Sequence, residues 1–555
     1  MTVTPRYLEP SARRRGPRRR RGLPLRAMGL GLLIGVAVAG AAAFVLGHVG
    51  NGDERKVVER FGAAWQRGDY RTMYDQLDAD SRRRTSLAAF TRAYRTATLT
   101  GTTTRIAAGK PDKDGSTWRL PVKASTRAFG LVTGDVRIPV GGDPPRLRWS
   151  AQLTFPGLRD GERLHRVTRA PRRAPLLARN GRTLADRDGV QTSLGAQTGI
   201  TGEVGEAGGA RRVALVSQGF PANARVGVSG LQKALDPRLR GTPGGTLLAG
   251  KRVLARRRPR PARAVRASID TRVSQAAQNA LAGRFGSVAA IEPRTGEVLG
   301  LAGIALDGAQ PPGSTFKVMT VTAGLETGIT KMTTRYPVLT GANAGGRFIE
   351  NAHAESCGGD LTESFSKSCN SVFAPMGAKL GARRLVNVAE RFGFNRPTGV
   401  PGATAASIPK QMTSVETGAS AIGQGKVLAT SLNMAVVAAT IANHGRRPLL
   451  TLQAGRPRGS VRATSPRIAA LVTRLMESVV SGPGATGTAA QIGGVKVAGK
   501  TGTSELGGNE ENDAWFLAFA PAERPKLAVA VLVVHGGFGG DAAAPIAKQV
   551  LQAGL

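Results

Sequence analysis

The chain has 555 residues, room for several domains, and carries 78 Lys+Arg against 37 Asp+Glu, a net charge of +41. The arginines are spread along the chain, aromatics make up only 5% and no zinc-finger or RNP pattern occurs, so a nucleic-acid binder is excluded and an anionic cell envelope is the fitting environment. Two cysteines cannot build a disulfide scaffold or a zinc site, and the five scattered histidines show no metal-ligand spacing, so neither a metal nor another cofactor is expected.

Residues 1–26 form a polar arm with nine arginines, expected to lie in the cytoplasm. Residues 27–47 follow without a charge. At 1.5 Å per residue they span a hydrocarbon core of about 30 Å as one helix. The arginines before the span keep the N-terminus inside and place everything after residue 50 outside the membrane. A cleaved signal peptide is the competing reading, but the apolar run is long for one.

Residues 53–156 read as a small α+β domain. Val57, Phe61, Ala64 and Trp65 fall on one helix face, and Gly68-Asp69 ends that helix. Helical stretches follow at Met73, Tyr74 and Leu77 and at Leu87, Phe90 and Tyr94. Strand-like runs come next at 118–124, 130–140 and 147–155. Residues 157–267 are rich in Gly, Arg and Pro and read as an irregular, partly β pedestal, with short apolar runs such as 213–216. The pedestal closes in an extended linker at 256–261. From Ser268 onward a helix, a hairpin around Arg294-Thr295-Gly296-Glu297, a helical middle, two late strands and a last helix predict an antiparallel sheet with a helical lobe.

The chemistry centres on Pro311-Pro312-Gly313-Ser314-Thr315-Phe316-Lys317, a breaker turn running into an apolar-periodic helix. Positions three apart share a helix face, so Lys317 lies beside Ser314. A serine hydroxyl needs a base within reach. A lysine serves when burial or a neighbouring cation keeps it neutral. The helix start also offers free N–H groups to an oxyanion. Ser-x-x-Lys alone is weak: a helix-cap serine beside a solvated lysine is the ordinary meaning, and Ser364/Lys367 and Ser407/Lys410 repeat the spacing. Ser407 has a proline inside its motif, and Ser364 lacks the preceding turn.

Two partners follow only Ser314 at workable distances. Ser368-Cys369-Asn370 comes 54 residues later and supplies a second hydroxyl for proton relay and an amide for a substrate carbonyl. Ser431/Asn433 copies this spacing but lies too near the next element. Lys500-Thr501-Gly502-Thr503 comes 132 residues after Ser368 and is the chain's one Lys-Thr-Gly. Lys500 and the threonine hydroxyls of Thr501 and Thr503 suit a terminal carboxylate, Gly502 lets a substrate backbone approach, and the Thr503 N–H suits an oxyanion.

The three elements in this order are the signature of penicillin-binding proteins and β-lactamases. The chain resembles the class B penicillin-binding proteins. Ser268-Ile269-Asp270, Thr295-Gly296-Glu297-Val298-Leu299, Ile422-Gly423-Gln424-Gly425, Asn443-His444-Gly445 and Ala514-Trp515-Phe516 are also similar to that family's transpeptidase domain. Residues 53–156, closing in Phe155-Pro156-Gly157-Leu158, resemble the NTF2-like domain of the methicillin-resistance type. In the pedestal motif Arg173, Arg179 and Gly181 match, while Ala174 and Ala178 depart from the family's Gly and Asp.

The resemblance implies a multidomain α+β protein: basic arm 1–26, transmembrane helix 27–47, NTF2-like cone 53–156, pedestal and linker 157–267, and transpeptidase domain 268–555. It implies D,D-transpeptidation of peptidoglycan stem peptides ending in D-Ala-D-Ala, acylation by β-lactams, and work beside the division or elongation machinery. Ser314 would attack the penultimate carbonyl with Lys317 as base, the N–H groups of Ser314 and Thr503 would hold the oxyanion, and Ser368 and Lys500 would relay a proton to the leaving D-Ala. No glycosyltransferase region precedes residue 160. A serine β-lactamase or sensor would not need the preceding domains, and a silent scaffold would not need the intact motifs. Cys357 and Cys369, twelve apart and on the outer side of the membrane, are expected to pair; one buried and one exposed thiol is the alternative.

Overall fold

The computed structural model describes residues 52–505 and 511–555. The basic arm at 1–26 and the span at 27–47 lie outside them, and among the described residues no helix is long and apolar enough to cross a membrane. The chain divides into two compact units. The first holds the described residues up to Tyr94 with Ile106–Lys123 and Thr133–Asp160; the second holds Arg95–Arg105, Ala124–Val132 and Gly161–Leu555.

In the first unit the expected helix covers residues 52–67 and ends before Gly68, whose φ of +70° suits glycine. Short helices at Tyr70–Tyr74 and Ala79–Arg84 carry Asp69 and Asp78 as N-caps. Strand Thr117–Thr126 alternates as read: Trp118, Leu120 and Val122 turn inward against Phe61, Met73, Phe90 and Tyr94. The run at 147–155 is not a strand. Only Arg146–Leu147 pairs, and Ala151–Thr154 is a 3₁₀ turn closed by the Thr154 hydroxyl donating to Ala151 O at 2.7 Å. The Tyr94 hydroxyl donates to Leu153 O at 3.1 Å, which ties that turn to the core.

The pedestal part of the second unit holds a three-stranded antiparallel sheet of Leu164–Arg169, Gly244–Ala249 and Arg252–Arg257. The expected linker at 256–261 therefore begins as a strand, because Arg256 and Arg257 pair with Thr246 and Gly245. The apolar run at 213–216 is helical, within Gly209–Ser217; Leu215 alone is buried there, and Val213 faces out. Arg173 is buried and donates to Asp236 at 2.7 Å and to Gln232 at 2.9 Å.

In the transpeptidase part five antiparallel strands form the sheet that positions the site. We label them β1 (Gly286–Ile291), β2 (Val298–Gly303), β3 (Ala498–Ser504), β4 (Asp513–Ala520) and β5 (Leu527–Val533). Their order is β2-β1-β5-β4-β3, so β3 is an edge strand. The central strands are buried on both faces and read as continuous apolar runs. One face packs on Thr271–Leu281, capped by Asp270, and on the last helix, Ala544–Gly554, through Val273, Ala277, Ile546 and Val550. The other face supports the helical lobe, including the wholly buried helix Ser431–Ala442.

Candidate active site

Three segments meet at the β3 edge. The first is the turn Gly313–Phe316, which runs into helix Lys317–Thr327. Gly313 sits at φ +52°, its N–H donates to Gly423 O at 3.1 Å, and a Cβ there would stand 2.5 Å from Thr503 O. The Thr315 hydroxyl closes the turn on Pro312 O at 2.6 Å. Ser314 is half-buried and lines the groove, and its hydroxyl has no hydrogen bond among the described residues. Lys317 is fully buried and donates not to Ser314 but to Ser368 O (2.7 Å), Ser368 Oγ (3.2 Å) and Asn370 Oδ1 (2.7 Å).

The second segment is the junction between helices Leu361–Ser366 and Asn370–Leu380. Ser368 takes the left-handed φ of +61° there, and the Cys369 N–H donates to Ser364 O at 2.9 Å. Asn370 Nδ2 donates to Glu350 O at 2.9 Å, which fixes the amide's orientation. Cys369 is bridged to Cys357, with Cα atoms 5.5 Å apart, so the expected pairing is present and the motif is tied to strand Cys357–Asp360.

The third segment is β3. Lys500 is fully buried and donates to Ser368 Oγ at 2.9 Å, Thr501 O at 3.0 Å and Thr501 Oγ1 at 3.3 Å. The Thr501 hydroxyl is 2.7 Å from that of Thr486. A Cβ at Gly502 would lie 2.9 Å from Pro312 O, Thr315 Cγ2 and Trp515 Cβ. This glycine lets the strand lie against the nucleophile turn; packing inside the protein requires it as well as any approaching substrate.

The Ser368 hydroxyl thus stands between two lysine amines. Burial pushes the Lys317 amine well below the ordinary lysine value, and the Lys500 charge pushes it further. Burial also pulls Lys500 down to about 7. Each amine faces an aromatic ring as well, Phe373 at 5.7 Å and Phe365 at 5.6 Å. The pair gives a neutral base and an acid near neutrality, joined by one hydroxyl, which suits acyl transfer.

Ser314, Ser368, Asn370, Thr501, Gly502 and Thr503 all line one groove of about 510 Å³. The serines of the repeated motifs stay outside this constellation, although Lys367 lines the groove. Ser364 is buried, Ser407 lies in a bridge to Leu428, and Asn433 completes a capping box with Thr430. Among the described residues no group of His, Cys, Asp and Glu is placed to hold a metal. Sequence reasoning missed His353, Glu505 and Phe538, which also line the groove. His353 and Phe538 meet with ring centroids 4.5 Å apart from segments far apart in the chain, so no local pattern signals them. Glu505 was visible as the residue two beyond Thr503, just past the end of the strand.

The sheet, the lobe and the lysine–serine–lysine array define a serine acyl-transfer enzyme. Residues 286–552 match the model of the penicillin binding protein transpeptidase domain. The chain is 34% identical to the peptidoglycan D,D-transpeptidase PbpA of Mycolicibacterium smegmatis, over 59% of this chain and 79% of that protein. It is 35% identical to PbpA of Mycobacterium tuberculosis, over 60% and 80%. Among solved structures, Pseudomonas aeruginosa PBP2 in complex with WCK 5153 superposes with a TM-score of 0.60 at 26% identity, covering 70% of this chain and 96% of that one. The ceftriaxone acyl-enzyme of penicillin-binding protein A from M. tuberculosis gives 0.54 at 26%, covering 69% and 98%. The chain belongs to the penicillin-binding transpeptidase family.

Proposed function

We infer that this protein cross-links cell-wall peptidoglycan as a serine D,D-transpeptidase and that β-lactams acylate it at the same serine. The carrying observation is Ser314 in a groove whose floor holds the array Lys317–Ser368–Lys500. Neutral Lys317 takes the Ser314 proton as Oγ attacks the penultimate D-Ala carbonyl of a stem peptide. The N–H groups of Ser314 and Thr503 hold the oxyanion. The tetrahedral centre collapses, the C–N bond breaks, and Lys500 delivers a proton through Ser368 to the departing D-Ala. An amine of a neighbouring stem then attacks the ester, its proton returns to Lys500 through Ser368, the new amide forms as the ester C–O bond breaks, and Lys317 gives Ser314 its proton back.

The residues ahead of the catalytic part carry the rest of the reading. Residues 27–47 anchor the chain once in the cell membrane, with the arm 1–26 inside and the catalytic domain outside; the uncharged run and the arginine bias support this. A disulfide beside the site suits an extracytoplasmic position. The helices and twisted sheet of the first unit suit an NTF2-like domain, and residues 157–267 a pedestal. The partners are stem peptides, β-lactams and the division or elongation machinery.

Intact-protein mass spectrometry after mixing with benzylpenicillin tests the chemistry. One long-lived adduct on the Ser314 peptide, absent in Ser314→Ala, is expected. Rapid return to the free mass with drug consumption would make the protein a β-lactamase, and no adduct would make it a scaffold. Protease digestion of intact spheroplasts tests the topology; full protection of the catalytic domain would overturn it.

A further inference from the structure

A second cavity in the same unit, of about 520 Å³, shares no lining residue with the catalytic groove. Arg238, Arg263, Arg266 and Arg456 line it, and no acid does. They come from three separate segments: the short helix Asp236–Leu239, the strand Val265–Arg266 with the residues before it, and the loop 453–456. Backbone hydrogen bonds tie these segments together. The Ala174 N–H donates to Leu239 O at 2.7 Å, the Val265 N–H to Pro175 O at 3.1 Å and the Ala454 N–H to Arg266 O at 3.1 Å. The Gly455 N–H donates to the buried Glu297 carboxylate at 2.7 Å, which holds the loop. The four charges are thus carried on a hydrogen-bonded frame and not on a free tail.

The frame leaves these guanidinium groups unmatched. Among the described residues none of the four makes a salt bridge or a side-chain hydrogen bond. The neighbouring acids are committed elsewhere. Asp236 is buried against Arg173, Arg211 and Arg240, Asp270 caps helix Thr271–Leu281, and Glu297 holds Arg179 at 2.8 Å. With 78 Lys+Arg against 37 Asp+Glu, many arginines in this chain must lack an acid; these four differ in converging on one cavity. Like charges around a cavity repel, and an anion that enters relieves the repulsion. A guanidinium presents a planar fork that matches carboxylate and phosphate oxygens. A carboxylate has two oxygens in one plane and engages one or two forks. A phosphate group offers its oxygens in a tetrahedral array and takes forks from several sides. The volume lies within the range of small-molecule sites, about 300–1,000 Å³, and is more than a single phosphate group fills.

We propose that this cavity is a binding site for an anion carrying more than one phosphate group, soluble or at the head of a lipid, held by Arg238, Arg263, Arg266 and Arg456. The site stands apart from the acyl-transfer chemistry and does not depend on the transpeptidase reading.

Isothermal titration calorimetry of the full-length protein with inorganic pyrophosphate tests it. One saturable site is expected, weakened by added salt. Arg263→Ala combined with Arg456→Ala should lower the affinity roughly 4- to 25-fold, about 2- to 5-fold for each exposed ion pair. Lysine keeps the charge but not the fork, so Arg263→Lys with Arg456→Lys should recover part of that loss. Arg383→Ala with Arg384→Ala removes as much charge from helix Ala382–Phe392, which does not line the cavity, and should leave binding unchanged. All of these arginines are exposed, and unchanged thermal unfolding shows that each variant has folded. No saturable binding, or equal losses in the two double-alanine variants, would overturn the proposal. Citrate bound as tightly as pyrophosphate would overturn the assignment to phosphate. Farnesyl diphosphate separates the two sources. Tighter binding than pyrophosphate upholds the site as one for a lipid-borne diphosphate, and weaker or equal binding upholds it as one for a soluble anion.

Discussion

Gly313→Ala should disable the enzyme without touching any group that reacts. Gly313 has φ +52°, a region in which alanine costs about 1–2 kcal/mol. The new methyl would also stand 2.5 Å from Thr503 O, with the Thr503 carbonyl carbon at 2.8 Å. Ordinary contact begins near 3.4 Å, so the turn and β3 must part by about 0.9 Å. Forcing a methyl into a packed site costs about 1–3 kcal/mol more. The turn carries Ser314 and the strand carries the Thr503 N–H, so the separation falls between nucleophile and oxyanion donor. A misplacement of about 1 Å costs on the order of 10²-fold in rate. The control is Gly328→Ala at the C-terminus of the nucleophile helix. Its φ is +72°, but nothing lies within 4 Å of the new methyl, so it has the backbone strain without the overlap. Acylation would be followed with a fluorescent penicillin and stability by thermal unfolding. Gly313→Ala should acylate about 100-fold more slowly while Gly328→Ala acylates normally. Equal acylation rates in the two variants would refute the reasoning.

Lys317→Ala should lower the acylation rate on the order of 10²-fold or more, measured by stopped-flow labelling, the usual range for losing a positioned general base. The acylation rate should follow a bell in pH. It falls on the acid side as Lys317 becomes charged, and on the alkaline side as Lys500 loses its proton above about 7. Lys500→Gln should remove the alkaline limb and move the acid limb to higher pH, since the Lys500 charge helps to hold Lys317 neutral. An acid limb that stays in place would break the link between the two amines. Cys357→Ala should lose up to about 3 kcal/mol, the chain-entropy value for so short a loop. It should also slow acylation, because Cys369 sits between Ser368 and Asn370. Unfolding and labelling with and without reductant would check both effects.

Much of the catalytic part was legible because its signals are local. Breakers, a serine at a helix start and a lysine one turn on specify the nucleophile turn, and the period of apolar residues specifies helix Thr271–Leu281 and the strands around it. Order along the chain then separated Ser314 from Ser364 and Ser407. The run at 147–155 misled because Trp149 and Leu153 are held there by hydrogen bonds with Ser81 and Tyr94, not by a ladder. The arginine run at 256–261 misled because its strand exists only by pairing with Gly244–Ala249.

What the sequence by itself determined is which residues to look for as one candidate site: Ser314, Lys317, Ser368, Asn370 and Lys500 occur in an order and context that chance does not supply. What only the tertiary structure decided is how they are connected. The spacing put Lys317 beside Ser314, yet its amine is held by Ser368 and Asn370, residues more than fifty positions away. The charge state of the two lysines also belongs to the fold, because a pKa depends on burial and on neighbouring charge. Both are set by helices and a strand that converge from distant parts of the chain.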